Sequence, residues 1–222
     1  MKKFIMITPL QPVVTNRVTG EKEDLLKLSN YEAIGNSKLE YGKATRFPLM
    51  HLLNGYADEG EEIQVITITP SAEFAGVHVN QLKEEVARLK EEKGFICKEV
   101  TSIDVKYAGN VETQIEIFQK LLPYFEDGDI LFGCLTFGDK PMPIAEMMAI
   151  QYAYRVLKNV TIECLVYGEL DHSLKPAPAR IFDITALVQL DEIVQILASR
   201  KVADPRRFLN ALIESRNDDG EV

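Results

Sequence analysis

The richest run of chemistry-bearing residues is Thr136-Phe137-Gly138-Asp139-Lys140-Pro141-Met142-Pro143, set between a short apolar segment and a long apolar helical pattern. Thr136 offers a hydroxyl, Gly138 lets backbone approach a ligand closely, and Lys140 supplies a cation. A helix opening at the prolines adds free N–H groups and the positive end of its dipole, which makes the segment a small phosphate-binding constellation. The same residues also suit a plain turn, in which Gly138 only bends the chain and Lys140 is solvated. Neither GxxxxGK[ST] nor GxGxxG occurs anywhere, which argues against an ordinary P-loop ATPase or a dinucleotide-dependent dehydrogenase.

A second candidate loop is Thr8-Pro9-Leu10-Gln11, directly after the first apolar run. Beyond it lies a polar insertion of about thirty-five residues, far longer than the usual connection of about 2–6 residues between strand and helix. Asn36, Ser37 and Lys38 within it, with Tyr31 and Tyr41, are placed to close over a ligand, or else belong to a flexible hairpin. Conventional catalytic groups are thin. His51 falls in the first helix, His78 is expected on the surface and His172 in a polar loop; none has a serine or cysteine nucleophile beside it. The acidic pairs Glu84-Glu85, Glu91-Glu92 and Asp218-Asp219 read as solvated faces or tail. No catalytic residue is assigned. Cys97, Cys134 and Cys164 are odd in number, widely spaced and set among apolar residues, so they read as reduced core cysteines. Without ligand spacing among cysteines and histidines, no metal site and no cofactor is expected.

The elements that position these residues follow from an alternation of short apolar strands with helical patterns, the signature of βαβ units and a parallel sheet. Strands are expected at 3–8, 63–69, 96–105, 130–135, 160–167 and 179–184. Helices are expected from about Thr45, around Leu82, Val86 and Leu89, over 111–125 with Ile115, Phe118, Leu121 and Leu122 inward, from Ile144 to about Leu157, and over 186–199. Lys83, Glu84, Glu85, Lys90 and Glu91 are assigned to the solvated face of the second helix, which Gly94 ends. Asp204-Pro205 forms an N-cap and N1 pair for a terminal helix. In an open parallel sheet, ligands bind beyond the carboxyl ends of the strands, where strand order reverses. That rule selects the Thr8–Gln11 and Thr136–Pro143 loops.

The chain has 222 residues with 34 acidic and 25 basic side chains, a net charge of -9. Such a balance argues against broad binding to duplex nucleic acid and confines any basic site to a local patch. No apolar run reaches the roughly 18 residues needed to cross a bilayer, and no signal-peptide pattern follows Met1. A cytoplasmic protein without a membrane segment is expected.

The Thr136–Pro143 turn, the long apolar helix after it, Val160–Gly168 ending in Val166-Tyr167-Gly168, and Ile181-Phe182-Asp183-Ile184-Thr185 together resemble the CRISPR-associated CARF proteins. In the branch most alike, the turn commonly reads D-x-T-H-G-x-R-x-x-P, and a strand ending Y-Y-G and a later D-L-T follow. Ala44-Thr45-Arg46-Phe47 is also similar to that branch. Cys134 stands where the family often has aspartate, Phe137 replaces the histidine and Lys140 the arginine; Thr136, Gly138 and Pro143 are retained. The resemblance covers residues 1 to about 197.

It implies a Rossmann-like domain over 1–198 with a mostly parallel six-stranded sheet flanked by helices, and a short C-terminal helical appendage over 199–222. It further implies a homodimer whose shared groove binds cyclic oligoadenylate, with cyclic tetra-adenylate the first choice, in type III CRISPR antiviral defence. Lys140 and Thr136 then take phosphates, Leu10, Gln11 and the insertion flank adenines, and Thr8, Pro9, Phe137, Gly138, Asp139 and Met142 complete the site. A sensor passing the signal to an effector is the leading expectation. The alternative is a metal-independent ring nuclease, in which the groove holds the ligand so that a ribose 2′-hydroxyl attacks its own phosphate. A third, unrelated class is an interaction module that uses the core only as a scaffold.

Overall fold

In the computed structural model the described residues are 1–15, 22–107, 110–170, 178–200 and 202–218. The element order is β1 (Lys2–Ile7), β2 (Val13–Thr15), β3 (Lys22–Asp24), β4 (Tyr31–Ile34), α1 (Leu49–Tyr56), β5 (Ile63–Pro70), α2 (Ala75–Lys93), β6 (Val100–Val105), α3 (Val111–Leu121), β7 (Ile130–Cys134), α4 (Pro141–Val156), β8 (Thr161–Leu170), β9 (Ala179–Asp183), α5 (Ala186–Arg200) and α6 (Pro205–Asp218). The chain is an α/β protein built on one seven-stranded sheet, ordered β4-β9-β8-β7-β1-β5-β6, with β2 and β3 forming a separate antiparallel pair. Every pairing in the large sheet is parallel except β8 with β9. This order is compatible with a Rossmann-like fold.

Strands β1, β5 and β7 are apolar nearly throughout because both of their faces are covered. On one face Phe4, Met6, Val65, Phe132 and Cys134 pack with Leu49, Leu52 and Leu53 of α1 and Leu82, Val86 and Leu89 of α2. Phe4 and Phe132 stack there with ring centroids 4.4 Å apart. On the other face Gly133 lies so close to Leu165 and Ile150 that a Cβ would come within 2.8 and 2.9 Å of them. Glycine at this position lets α4 pack tightly onto the sheet.

The sheet has one strand more than the six expected. The addition is β4, a four-residue edge strand that pairs in parallel with β9. Its burial alternates, but over only four residues inside a long polar insertion, so it carries little strand signal. The third expected strand is shorter than 96–105: Ile96 makes only an isolated bridge to Glu62, and the ladder starts at Val100. The first helix begins at Leu49 rather than Thr45, because Thr45 is engaged in a bridge with Ser29 and its hydroxyl bonds Phe47 N–H at 3.0 Å. Helix α3 tightens into a 3₁₀ turn over Leu122–Tyr124, where Pro123 removes a donor. Ile115 is exposed rather than inward, while Ile117 and Leu121 are buried.

Two polar residues are more deeply placed than their patterns suggest. Glu85, expected on the solvated face of α2, is buried, accepting from the Thr45 hydroxyl and lying 3.4 Å from Arg46 Nη1. His78, expected on the surface, is fully buried. Gly94 does end α2, at φ +76, and the Asp204 side chain does cap α6 through Arg207 N–H at 3.0 Å. The three cysteines are free and buried.

The chain divides into two compact units, Met1–Ile184 and Thr185–Val222. The first holds the whole sheet with α1 to α4. The second holds α5 and α6, so the 186–199 helix, assigned from sequence to the larger domain, groups with the terminal helix instead. His172 and residues 219–222 lie outside the described residues. Among the described residues no helix is long and apolar enough to cross a membrane.

Candidate functional site

From β1 the chain builds outward through β5 to β6, then returns to place β7 and β8 on the other side of β1. Strand order therefore reverses between β1 and β7, and the crevice at a parallel sheet's carboxyl edge opens at such a point. Met6 pairs with Cys134 in register, so the Thr8–Gln11 and Thr136–Met142 loops leave the sheet side by side. The second loop packs on the end of β1: a Cβ on Gly138 would lie 3.1 Å from Ile7 Cγ2, and 3.2 Å from Met142 Cβ within its own loop. With φ +92, Gly138 fills a position that excludes a side chain on both conformation and space.

The loop after β7 sorts its residues into support and display. Thr136 Oγ1 accepts the Gly168 N–H at 2.9 Å and lies 3.3 Å from Cys134 Sγ, so this hydroxyl ties β7 to β8. Gly168 is required for that tie, since a Cβ there would fall 2.4 Å from Pro48 Cγ. Phe137 is buried, edge-on to Phe47 at 6.5 Å, and Met142 is buried beneath Gly138. Neither is presented to a ligand. Gly138, Asp139 and Lys140 are turned outward, and their backbone N–H groups have no hydrogen-bond partner among the described residues. The Lys140 ammonium is exposed and forms no ion pair among the described residues. Consecutive free amides beside a cation are groups that an anion can take up.

The helix after the turn contributes less backbone than expected. Pro141 and Pro143 have no N–H, and the Met142 N–H is taken by the Asp139 carbonyl at 2.8 Å. The positive dipole end remains, but direct hydrogen bonds must come from the turn itself.

In the first loop, Thr8 is buried and belongs to a hydroxyl ladder across three strands. Its Oγ1 lies 2.7 Å from Thr67 Oγ1 and 3.2 Å from Thr69 Oγ1, and Thr69 is 2.6 Å from Ser102 Oγ. Pro9 is buried too, leaving Leu10 and Gln11 partly exposed at the crevice. His78 Nε2 donates to the Gln11 carbonyl at 2.8 Å, His78 Nδ1 lies 3.0 Å from Gln81 Oε1, and Gln81 Nε2 donates to Asp24 at 2.6 Å. Both ends of the β2–β3 hairpin are thus anchored to α2 beside the crevice.

Asn36, Ser37 and Lys38 are not brought to this crevice. Strand β4 is the outermost strand, separated from β7 by β9 and β8, and it runs antiparallel to β8, so the chain after it heads back along the sheet and away from the crevice. There Asn36 Nδ2 donates to Asp183 at 2.7 Å and to the Tyr56 hydroxyl at 3.0 Å, and its Oδ1 caps Lys38 N–H at 3.1 Å. Lys38 sits 4.9 Å over the Tyr56 ring. Lys2, at the start of β1, holds the Tyr56 carbonyl at 2.7 Å.

Sequence reasoning missed Tyr107. It follows β6, and its hydroxyl donates to Asp139 across the crevice while Ser71 Oγ accepts its N–H at 3.0 Å. Only the strand order reveals this, because it puts the end of β6 on the same edge as the β7 loop. Glu146 was also missed. It is fully buried in α4 below Gly133, neither carboxylate oxygen has a partner among the described residues, and burial raises its carboxyl well above the usual range. Burial likewise pushes the Cys134 thiol up to about 12, which removes it as a nucleophile.

No protein-family model matches this chain, and no curated protein matches it significantly.

Proposed function

We propose that this chain is a CARF-type sensor that binds a cyclic oligoadenylate, cyclic tetra-adenylate foremost, as a homodimer in type III CRISPR antiviral defence and hands the event to an effector. The observation that carries the reading is the Lys140 ammonium beside three amides, all without a partner among the described residues, at the point where strand order reverses. A phosphate there replaces water on groups that the fold leaves unsatisfied. Leu10 and Gln11, one loop away, supply an apolar edge and an amide for a base. Thr8, Thr136, Phe137 and Met142 act by holding these groups in place rather than by contact with the ligand.

Binding without rapid cleavage fits the site's poverty in proton-transfer groups. Phenylalanine replaces the family's histidine and is buried, and Asp139, the only carboxylate in either loop, is engaged by Tyr107. A general acid or base typically adds about 10²–10⁴-fold to a rate.

The test is calorimetry with cyclic tetra-adenylate and cyclic hexa-adenylate, metal-free, with chromatography for linear products. The expected result is saturable binding, no multiple turnover within minutes, and a loss of about 1.5–3 kcal/mol in Lys140→Ala, the range for hydrogen bonds to charged groups. Multiple turnover that Lys140→Ala abolishes would favour the ring nuclease. Absence of binding to either ring would remove the proposal.

A further inference from the structure

His78 stands in the first turn of α2, fully buried, and both of its ring nitrogens meet acceptors. Nε2 lies 2.8 Å from the Gln11 carbonyl and Nδ1 lies 3.0 Å from Gln81 Oε1. The first partner is a carbonyl, which can only accept. The second is fixed by what lies beyond it. Gln81 Nε2 donates to Asp24 Oδ2 at 2.6 Å, while Asp24 Oδ1 accepts the Leu26 N–H at 2.8 Å, and an ionised carboxylate has no proton to give back. Turning the Gln81 amide over would set its oxygen against that carboxylate. The Gln81 oxygen therefore faces the ring, and both bonds form together only when both ring nitrogens carry a proton. A neutral ring supplies one.

We propose that His78 is the positioning residue of the first crevice loop: as an imidazolium it holds the Gln11 carbonyl, and with it Leu10 and Gln11, and loss of its second proton loosens that hold. The charges around the ring agree with this. Among the described residues they are Asp24 of β3, Arg46 ahead of α1 and Glu85 two turns along α2, while the loop from Thr8 to Pro12 carries none. Arg46 Nη1 lies 3.4 Å from Glu85 Oε1, and Arg46 Nε lies 4.0 Å from Asp24 Oδ2. With the ring charged, two cations face two anions. With the ring neutral, one anion is left over in a partly buried seam, and either Gln81 or Gln11 loses its donor.

The bond that needs the second proton is present at low pH and is lost as pH rises through the titration of the ring. The loop is therefore held in acid and loosened in base. Gln11 itself keeps an unused acceptor, since its Oε1 is buried without a partner among the described residues. A ligand that bonds this loop then binds more weakly as pH rises. That consequence rests on the proposed ligand reading; the latch itself does not.

The experiment is NMR on the whole chain without ligand, following the His78 ring nitrogens and the Leu10 and Gln11 amides between about pH 5 and pH 8, the span in which histidines titrate. Wild type is compared with Asp24→Asn and Gln81→Leu. Asparagine at position 24 still accepts the Leu26 N–H but donates to Gln81, so the Gln81 amide turns over and donates to a neutral ring. Leucine at position 81 removes the acceptor at Nδ1, so one proton suffices to hold Gln11. In wild type both ring nitrogens are expected to be protonated at the acid end, with the Leu10 and Gln11 shifts following the ring as it titrates. In both variants those shifts are expected to stay flat. A wild-type ring with a bare nitrogen at the acid end, wild-type loop shifts that stay flat, or shifts that move equally in whichever variant folds would overturn the inference. Calorimetry on the same proteins separates the two ideas. Affinity for cyclic tetra-adenylate should fall about tenfold across the span in wild type alone, the scale of one hydrogen bond to a charged group. A loop that titrates in a chain that binds no cyclic oligoadenylate leaves the latch standing and removes the sensor reading.

Discussion

The two edges of the sheet treat their polar residues in opposite ways. At the edge where the parallel strands begin, polar groups are closed on one another: Lys3 pairs with Asp129 at 2.7 Å in the interior, and Lys2 bridges Glu61 at 2.6 Å. At the carboxyl edge, Lys140 and the 138–140 amides are left open, while Thr8, Thr136 and His78 are spent on holding the loops that display them. A satisfied cluster is architecture, because its groups have already exchanged water for protein. An unsatisfied, partly exposed cluster keeps its free energy for something else.

That contrast breaks first at Asp129. Asp129→Ala strands the buried Lys3 ammonium, so a loss of about 3–5 kcal/mol in urea unfolding is expected; a loss below 1 kcal/mol would deny that edge its structural role. Gly168→Ala is the next in size. Its Cβ would meet Pro48, and the tie to Thr136 would be disturbed, for a cost of about 1–3 kcal/mol typical of overpacking. Ligand affinity should fall with it, since the 136–140 turn hangs on that bond.

Glu146 sharpens the comparison through pH. Its folded-state pKa is raised by burial, so above the unfolded value the unfolded chain releases a proton that the folded chain retains. Stability therefore declines as pH rises, by about 1.4 kcal/mol per unit from this group until the folded carboxyl itself ionises. Glu146→Gln removes the decline: the variant should match wild type near pH 4 and exceed it in urea midpoint at pH 7 to 8. An equal midpoint across that range would mean the carboxyl finds a partner in solution. The smallest effect is expected at Lys140. Lys140→Ala should leave stability within about 0.5 kcal/mol, as for exposed residues without partners, and act only on the ligand.

The sequence made the parallel sheet legible because β1, β5 and β7 are apolar runs of strand length, and it made the crevice legible because ligand position in such a sheet follows strand order. It hid what depends on distant partners. Glu85 reads as one more charge on an amphipathic helix until Thr45 and Arg46 fold over it. His78 is buried by Gln11, sixty-seven positions away. Asn36 to Lys38 sit in a polar insertion like any ligand-closing loop, and only the pairing of β4 with β9, at the margin of the sheet, sets them apart from the crevice. Tyr107 has no motif at all; it enters the site because β6 and β7 point the same way.

Backbone amide shifts on titration with cyclic tetra-adenylate test the central claim most directly, since both edges are observed in one sample. The account predicts that Gly138, Asp139 and Lys140 move most, with Leu10 and Gln11 following, while Asn36, Lys38 and Tyr56 stay still. The largest shifts at Asn36 to Lys38, or none at either edge under saturating ligand, would contradict it.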